Sequence, residues 1–408
     1  MDISLVIPID CLVLYSSLST VLFCIATAVF SGFSQELDDL PVTYEKKTEF
    51  TISNSAKITR KNEPIIIPVA ALCKKAPDFN NKFFRIKHKT TCFEPLDIPS
   101  QIRTVPGKTG GAEELTFQLD FGTEETVSVD LQYNTDGSDL PDYPVRNQSF
   151  KSWYRDGSNS AWENEIIGYR YYFGMIDYFG KSYPGLCLDR LKSDSYHHER
   201  LWGQDPYAVG KTPGLGGISL LDGDTMTKCY GYPDDEPSYS YIYDAHGGGP
   251  VCAGVVLRTE DSESGDILID ASTTLFHGRF ENIVRATAPS ARHKSGIHIA
   301  PGMKKFDDEH VTIDEDSGYM LAWGVPVEEY GTIGTAIIWT PDSCRGIYNA
   351  GDARYIRLEP DNDGFVDYRT LGIWYRASSE QPSGQKVFFD LVKELAVGLQ
   401  NPMTVEIR

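Results

Sequence analysis

Ile166-Ile167-Gly168-Tyr169-Arg170-Tyr171-Tyr172-Phe173 is the stretch on which the reading of the fold turns. It is rich in aromatic and β-branched residues and shows no helical repeat, so it is expected to be a strand. Side chains alternate across a strand, which puts Arg170 and Tyr172 on one face and Tyr169 and Tyr171 on the other. Just upstream lies Ala161-Trp162-Glu163-Asn164-Glu165; downstream lie Tyr196-His197-His198-Glu199-Arg200-Leu201-Trp202-Gly203-Gln204-Asp205 and then Gly210-Lys211. Between Ser160 and Gly217 the chain thus gathers acids, bases, guanidinium groups, tyrosines and two tryptophans, a mixture suited to binding a polar ring and moving protons on it.

Working outward, further strands are expected at Glu49–Ile52, Pro64–Val69, Lys82–Ile86, Leu115–Phe121 and Thr126–Leu131, with no amphipathic helical window between them. Beyond the aromatic strand, Asp177–Lys181 reads as a turn. Later strands are expected at Val251–Arg258, Ile267–Asp270, Phe280–Arg285, Gly334–Trp339, Phe365–Tyr368 and Gly372–Arg376. A helix is expected over Ser383–Gln400, where Val387, Leu391, Leu395 and Leu399 recur at helical spacing, followed by a strand at Met403–Ile407. The fold class is therefore mainly β: a small N-terminal β-sandwich over residues 36–145, then a large antiparallel β-sandwich over 146–408 that carries the catalytic residues, with one C-terminal helix.

The chain has 408 residues, 41% hydrophobic and 12% aromatic, a composition able to bury a sizeable core. Its 38 basic and 58 acidic residues give a formal net charge of -20. That field opposes binding to nucleic acid and to anionic membrane surfaces. An anionic sugar can still be held by a local basic pocket. Residues 1–34 contain an uncharged apolar run, Leu12–Phe33, read as a signal peptide or an anchor without a positive n-region, and the mature chain is expected to be exported and not inserted in a membrane. Six of the eight cysteines lie beyond it, and Cys73 with Cys92 or Cys229 with Cys252 are candidate disulfides. Asn147-Gln148-Ser149 is a glycosylation sequon.

Trp162, Glu163, Asn164, Arg170 and Tyr172 are candidate substrate-binding residues, because a sugar site needs an aromatic platform and a planar cation for a carboxylate. An aromatic core with an Arg–Glu pair tying strands is the competing reading. Of two adjacent histidines, one can catalyse while the other supports it, so His197, His198, Tyr196 and Arg200 are the candidate catalytic residues, with Trp202 and Lys211 on the substrate side. His246, beside Gly247-Gly248-Gly249, and His298 are candidates for an opposing wall, as is His277. His197-x-Glu199 could contribute to a metal site, but local sequence supplies no third ligand, so no metal or cofactor is expected.

Several of these segments together resemble a bacterial exported family of unknown function found in polysaccharide-utilisation systems. They are Ala161-Trp162-Glu163-Asn164-Glu165, Gly168-Tyr169-Arg170, Phe179-Gly180-Lys181, Tyr196-His197-His198-Glu199, Trp202-Gly203-Gln204-Asp205 and Val209-Gly210-Lys211. Arg60-Lys61-Asn62-Glu63-Pro64 and Ile98-Pro99-Ser100-Gln101 resemble its N-terminal part. The resemblance implies carbohydrate processing, and an apparent relative is a dehydratase acting on uronic-acid-ended oligosaccharides from ulvan. Glu165-Ile166 departs from the Asp-Arg pair usual there, leaving open which arginine grips a carboxylate.

The expected activity is a carbon–oxygen lyase working by β-elimination on a uronate oligosaccharide, either dehydrating it or cleaving the chain. His197 or His198 would be the base, Arg170 or Arg200 the carboxylate clamp, and Tyr196 the acid or second base. The rival readings are a glycoside hydrolase using Glu163 with Glu165 or Glu199 with Asp205, and a carbohydrate-binding protein without catalysis. Oligomeric state is not readable.

Overall fold

The computed structural model describes residues 43–89, 96–105, 112–153, 159–191, 196–232, 234–235, 237–292, 294, 296–375 and 384–408. The leader and Cys92 lie outside the described residues. The chain divides into two units, Met1–Glu45 and Lys46–Arg408. The architecture of the second is mainly β, with antiparallel sheets and a C-terminal helix.

Near its N-terminus a five-stranded sheet and a three-stranded sheet face each other. Between them lies a core of alternating apolar residues such as Phe50, Ile65, Phe84, Phe117 and Leu131. Two strands beyond those expected, Leu96–Ile98 and Ser100–Val105, contribute to these sheets. The five-stranded sheet is completed from the far end of the chain: Thr404–Ile407 pairs antiparallel with Lys46–Ser53, capping what would otherwise be an open edge.

The larger part holds an eight-stranded sheet and two five-stranded sheets around a second core. Phe365–Tyr375 is one continuous strand rather than two, because Thr370 and Gly372 pair in register with Ile337 and Thr335 of Thr332–Trp339 without a break. The C-terminal helix, Gln385–Gln400, packs through Phe388, Val392, Leu395 and Ala396. The repeat starting at Val387 is offset by one residue from this face, and Val387 itself is 47% exposed. Aromatic Phe388 takes the inward place because it fills the gap over Gly334, where a Cβ would meet its ring at 2.8 Å.

Asp177–Lys181 is no turn: it belongs to the strand Met175–Lys181, paired with Ile167–Tyr172. The turn lies earlier, at Phe173-Gly174, where φ of 49° and 75° gives the two-residue loop that matches strand twist. Cys229 and Cys252 are both buried free thiols, not a disulfide. The sequon Asn147 is fully buried and its side chain donates to Gly249 O at 3.2 Å, so it is inaccessible in the fold. Among the described residues no helix is long and apolar enough to cross a membrane.

Candidate active site

The site is built on the five-stranded sheet ordered Gly203–Gln204, Met175–Lys181, Ile167–Tyr172, Asn159–Asn164, Asn147–Phe150. Tyr169 and Tyr171 enter the core, with Tyr169 stacked on Trp162. Arg170 and Tyr172, on the other face, line a cavity of about 410 Å³ with Asp177, Tyr196, His197, Tyr232 and Tyr330. That volume lies within the range of small-molecule sites.

At the cavity's inner wall is a cluster of one arginine and two aspartates. Register places Asp177 directly opposite Arg170, and the two form a buried ion pair. Asp205 Oδ2 is 3.5 Å from the same guanidinium and 3.2 Å from His197 Nδ1, the latter close enough for pairing without hydrogen-bond alignment. Asp205 is fully buried, and burial, reinforced by the neighbouring Asp177 charge, pushes its carboxyl well above the usual range. Burial opposes the Arg170 charge, but the two aspartates outweigh it and keep the guanidinium protonated. Arg170 Nε has no hydrogen-bond partner among the described residues. The guanidinium lies over four rings, those of Tyr196 at 4.7 Å, Tyr172 at 5.2 Å, Phe179 at 5.5 Å and Trp153 at 5.9 Å.

The segment 196–205 is folded back on itself: Asp205 N donates to Tyr196 O at 2.9 Å, Gln204 Nε2 to His197 O at 2.5 Å, and Arg200 and Gly203 exchange backbone bonds. This closure delivers His197 to the cavity and Asp205 behind it. Burial lowers the His197 pKa, the nearby Arg170 charge adding to the shift, so the imidazole is neutral near pH 7. Its ring stacks parallel to Tyr330, 6.3 Å centre to centre and 6° apart in plane. Tyr330 is held there by Trp374, whose Nε1 donates to Tyr330 O at 2.7 Å.

Of the residues expected from sequence, Arg170, Tyr172, Tyr196 and His197 meet at this cavity. His198 and Arg200 are exposed on the loop, and Trp202 packs edge-on against Phe179 beneath it. Lys211 does not line the cavity: it is paired with Asp235 at 2.5 Å and lies 5.6 Å from the Tyr232 ring centre. The structure places the remaining residues elsewhere. Trp162 is buried, its Nε1 donating to Asn282 Oδ1 at 3.0 Å. Glu163 is sealed by Lys181, Gln148 and the backbone N–H groups of Cys187 and Leu188. Asn164 accepts from Ile166 N and Ile167 N and donates to Phe276 O and Arg279 O, fixing a turn. His246 is buried with its Nε2 2.8 Å from Thr273 O, and burial holds its pKa down at about 3. The glycines beside it admit not a ligand but the Gln101 side chain, whose Oε1 accepts from Val251 N and Cys252 N at 3.2 Å. His298 lies on Ile297–Lys304, and His277 Nδ1 faces Glu165 Oε1 at 2.7 Å, neither at the cavity. Among the described residues no group of histidines, cysteines and carboxylates is arranged to hold a metal ion.

Sequence reading missed Asp177, Tyr232 and Tyr330. For Asp177 a signal was present: reading Phe173-Gly174 as the hairpin turn sets Arg170 opposite Asp177.

Two solved structures overlay on most of this chain. One is described as a protein in the glycosyl hydrolase family 38 from Enterococcus faecalis, at TM-score 0.48 and 9% identity, covering 89% of this chain and 48% of that one. The other is an alpha-mannosidase from Enterococcus faecalis V583, at TM-score 0.48 and 9% identity, covering 90% of this chain and 46% of that one. The chain thus spans about half the length of each. No curated protein matches the sequence. A family model matches residues 52–405, and the chain belongs to that family, the domain of unknown function DUF4861.

Proposed function

We propose that the cavity is the active site of a carbohydrate-processing enzyme, a carbon–oxygen lyase that removes a proton beside a uronate carboxylate. The observation that supports this reading is His197. A half-exposed imidazole, kept neutral by burial, stands on an aromatic-walled cavity with a buried arginine–aspartate cluster behind it. A neutral histidine is the residue type best matched to general-base work near neutral pH.

The roles follow from position. Tyr172, Tyr232 and Tyr330 line the cavity as aromatic walls against which a sugar ring can pack. His197 takes the proton from the carbon next to the carboxylate. As the C–H electrons form the new double bond, the C–O bond at the β-carbon breaks, and the departing oxygen takes a proton from Tyr196. Arg170, with its Nε unpartnered, stabilises the negative charge that develops on the carboxylate oxygens. Its charge is offset by Asp177 and Asp205, so it serves as a modest clamp, not a free cation.

Hydrolysis by paired carboxylates fits less well. Glycosidases need carboxyl groups about 5 to 9.5 Å apart. Asp177 and Asp205 instead converge on the one Arg170 guanidinium, and Glu163 is fully engaged within the sheet. The test is ultraviolet absorbance of an unsaturated uronate together with product mass, using purified protein and a panel of uronate oligosaccharides. A rise in absorbance with loss of about one water mass means dehydration, and a rise with smaller fragments means chain cleavage. No rise with any substrate refutes the reading.

A further inference from the structure

A second cavity, of about 350 Å³, lies apart from the first, where Arg60–Pro68, the eight-stranded sheet and the C-terminal helix meet. Its wall carries Ile58, Phe280, Leu391 and Leu395 on the apolar side, and Arg60, Arg279 and Arg369 on the polar side. Two of these arginines are fully used. Arg60 donates to Glu63 Oε1 at 3.0 Å and to Asn54 Oδ1 at 3.0 Å. Arg279 donates to Glu63 Oε2 at 3.0 Å and grips Glu281 Oε1 through two nitrogens.

Arg369 is the third, and no carboxylate pairs with it closely among the described residues. Its ion pair among the described residues is a 3.7 Å contact to the Glu281 oxygen that Arg279 already holds. Its Nε is buried without a hydrogen-bond partner, and its side chain is only 13% exposed. A guanidinium that is largely desolvated and left unmatched is a cost to the fold unless an anion meets it. An apolar wall facing a single planar cation is the arrangement that recognises a carboxylate on a hydrophobic body.

We propose that this cavity binds a small organic carboxylate, its oxygens on Arg369 and its apolar body against Ile58, Phe280, Leu391 and Leu395. Burial lowers the Arg369 pKa against the pull of Glu281, in keeping with a cation short of partners. Glu394, exposed at the rim, is a weak internal competitor for the same charge.

The test is calorimetric titration of the full chain at fixed pH and ionic strength with benzoate, inorganic phosphate and neutral benzyl alcohol. Saturable binding of benzoate is expected, with no binding of benzyl alcohol and weaker binding of phosphate. Arg369→Gln should weaken benzoate by roughly tenfold or more, the loss expected for a charge-assisted pair. Glu394→Gln should tighten it a few-fold, and this variant decides the matter if Arg369→Gln does not fold. Absent benzoate binding, benzyl alcohol binding equally well, phosphate binding in preference, or an unchanged benzoate affinity in either variant overturns the proposal. None of these readouts depends on the lyase activity.

Discussion

Two buried charge clusters sit on adjacent strands of one sheet, and they are built to opposite ends. Around Glu163, every approach is filled: Lys181, Gln148 and two backbone N–H groups converge on its oxygens, and Lys181 is itself tied to Asn164 O and Gly185 O. Around Arg170, the count does not close. Two carboxylates share one guanidinium, burial pushes the Asp205 carboxyl up, an Nε is left over, and the cluster opens through His197 onto a cavity. A satisfied buried charge ties strands together, whereas an unsatisfied one beside a cavity is poised to exchange a proton. The difference teaches that residue type does not separate architecture from chemistry; the saturation of partners does.

The contrast can be broken by substitution. The largest effect is expected from His197→Ala, a loss of about 10²–10⁴-fold in kcat/KM on a uronate oligosaccharide, with a stability change within about 0.5 kcal/mol. Steady-state kinetics with denaturant unfolding of the same sample reads both. Glu163→Ala should do the reverse in kind: stability falls by about 3–5 kcal/mol, because Lys181 is left buried without its partner. Urea midpoints measure this, and a near-neutral result would mean that the Glu163 cluster is not the structural one.

A pH scan sharpens the comparison at the third position, His246. Its folded pKa, about 3, is below the ordinary value of 6.5, so the folded state binds fewer protons than the unfolded chain between those limits. The stability it permits is full above about pH 6.5 and is lost as pH falls from there towards 3, by a few kcal/mol. In His246→Gln this acid limb should flatten, as read by unfolding midpoints between pH 7 and 4. His197 is lowered in the same direction, so the acid limb of kcat/KM should lie below pH 6.5. Smaller still is Asp205→Asn: since burial already pushes the Asp205 carboxyl towards its neutral form, an amide should cost at most about 1 kcal/mol while displacing that acid limb. Least of all, Val387→Ser on the outer face of the helix should change stability by no more than about 0.5 kcal/mol.

Much of the fold is legible in the chain because period-two alternation and short turns are local properties. Tyr169 and Tyr171 against Arg170 and Tyr172 separate into core and cavity faces directly from their parity. Errors arise where a local signal is ambiguous. Asp177–Lys181 carries Asp and Gly and reads as a turn, but Gly180 is there because Trp374 packs against it, where an added Cβ would meet the Trp374 Cβ at 2.4 Å and its ring at 2.7 Å. Val387 fits a helical repeat yet faces solvent, since choosing between neighbouring registers requires knowing what the helix packs on. The density of chemistry between Ser160 and Gly217 marks the region of the candidate site. It does not separate Glu163 and Asn164 from His197, because all are polar residues in the same stretch.

The sequence by itself determined the β class, the alternation that turns Arg170 towards a polar face, and the cluster of candidate bases around His197, all consequences of side-chain periodicity and residue chemistry within a few tens of residues. Only the tertiary structure decided that Asp205 and Asp177 meet at one guanidinium, that Tyr330 arrives from more than a hundred residues away to face His197, and that Glu163 and His246 are enclosed. The reason is physical: burial and the number of partners around a charge are set by which strands pack together, and no local pattern encodes them.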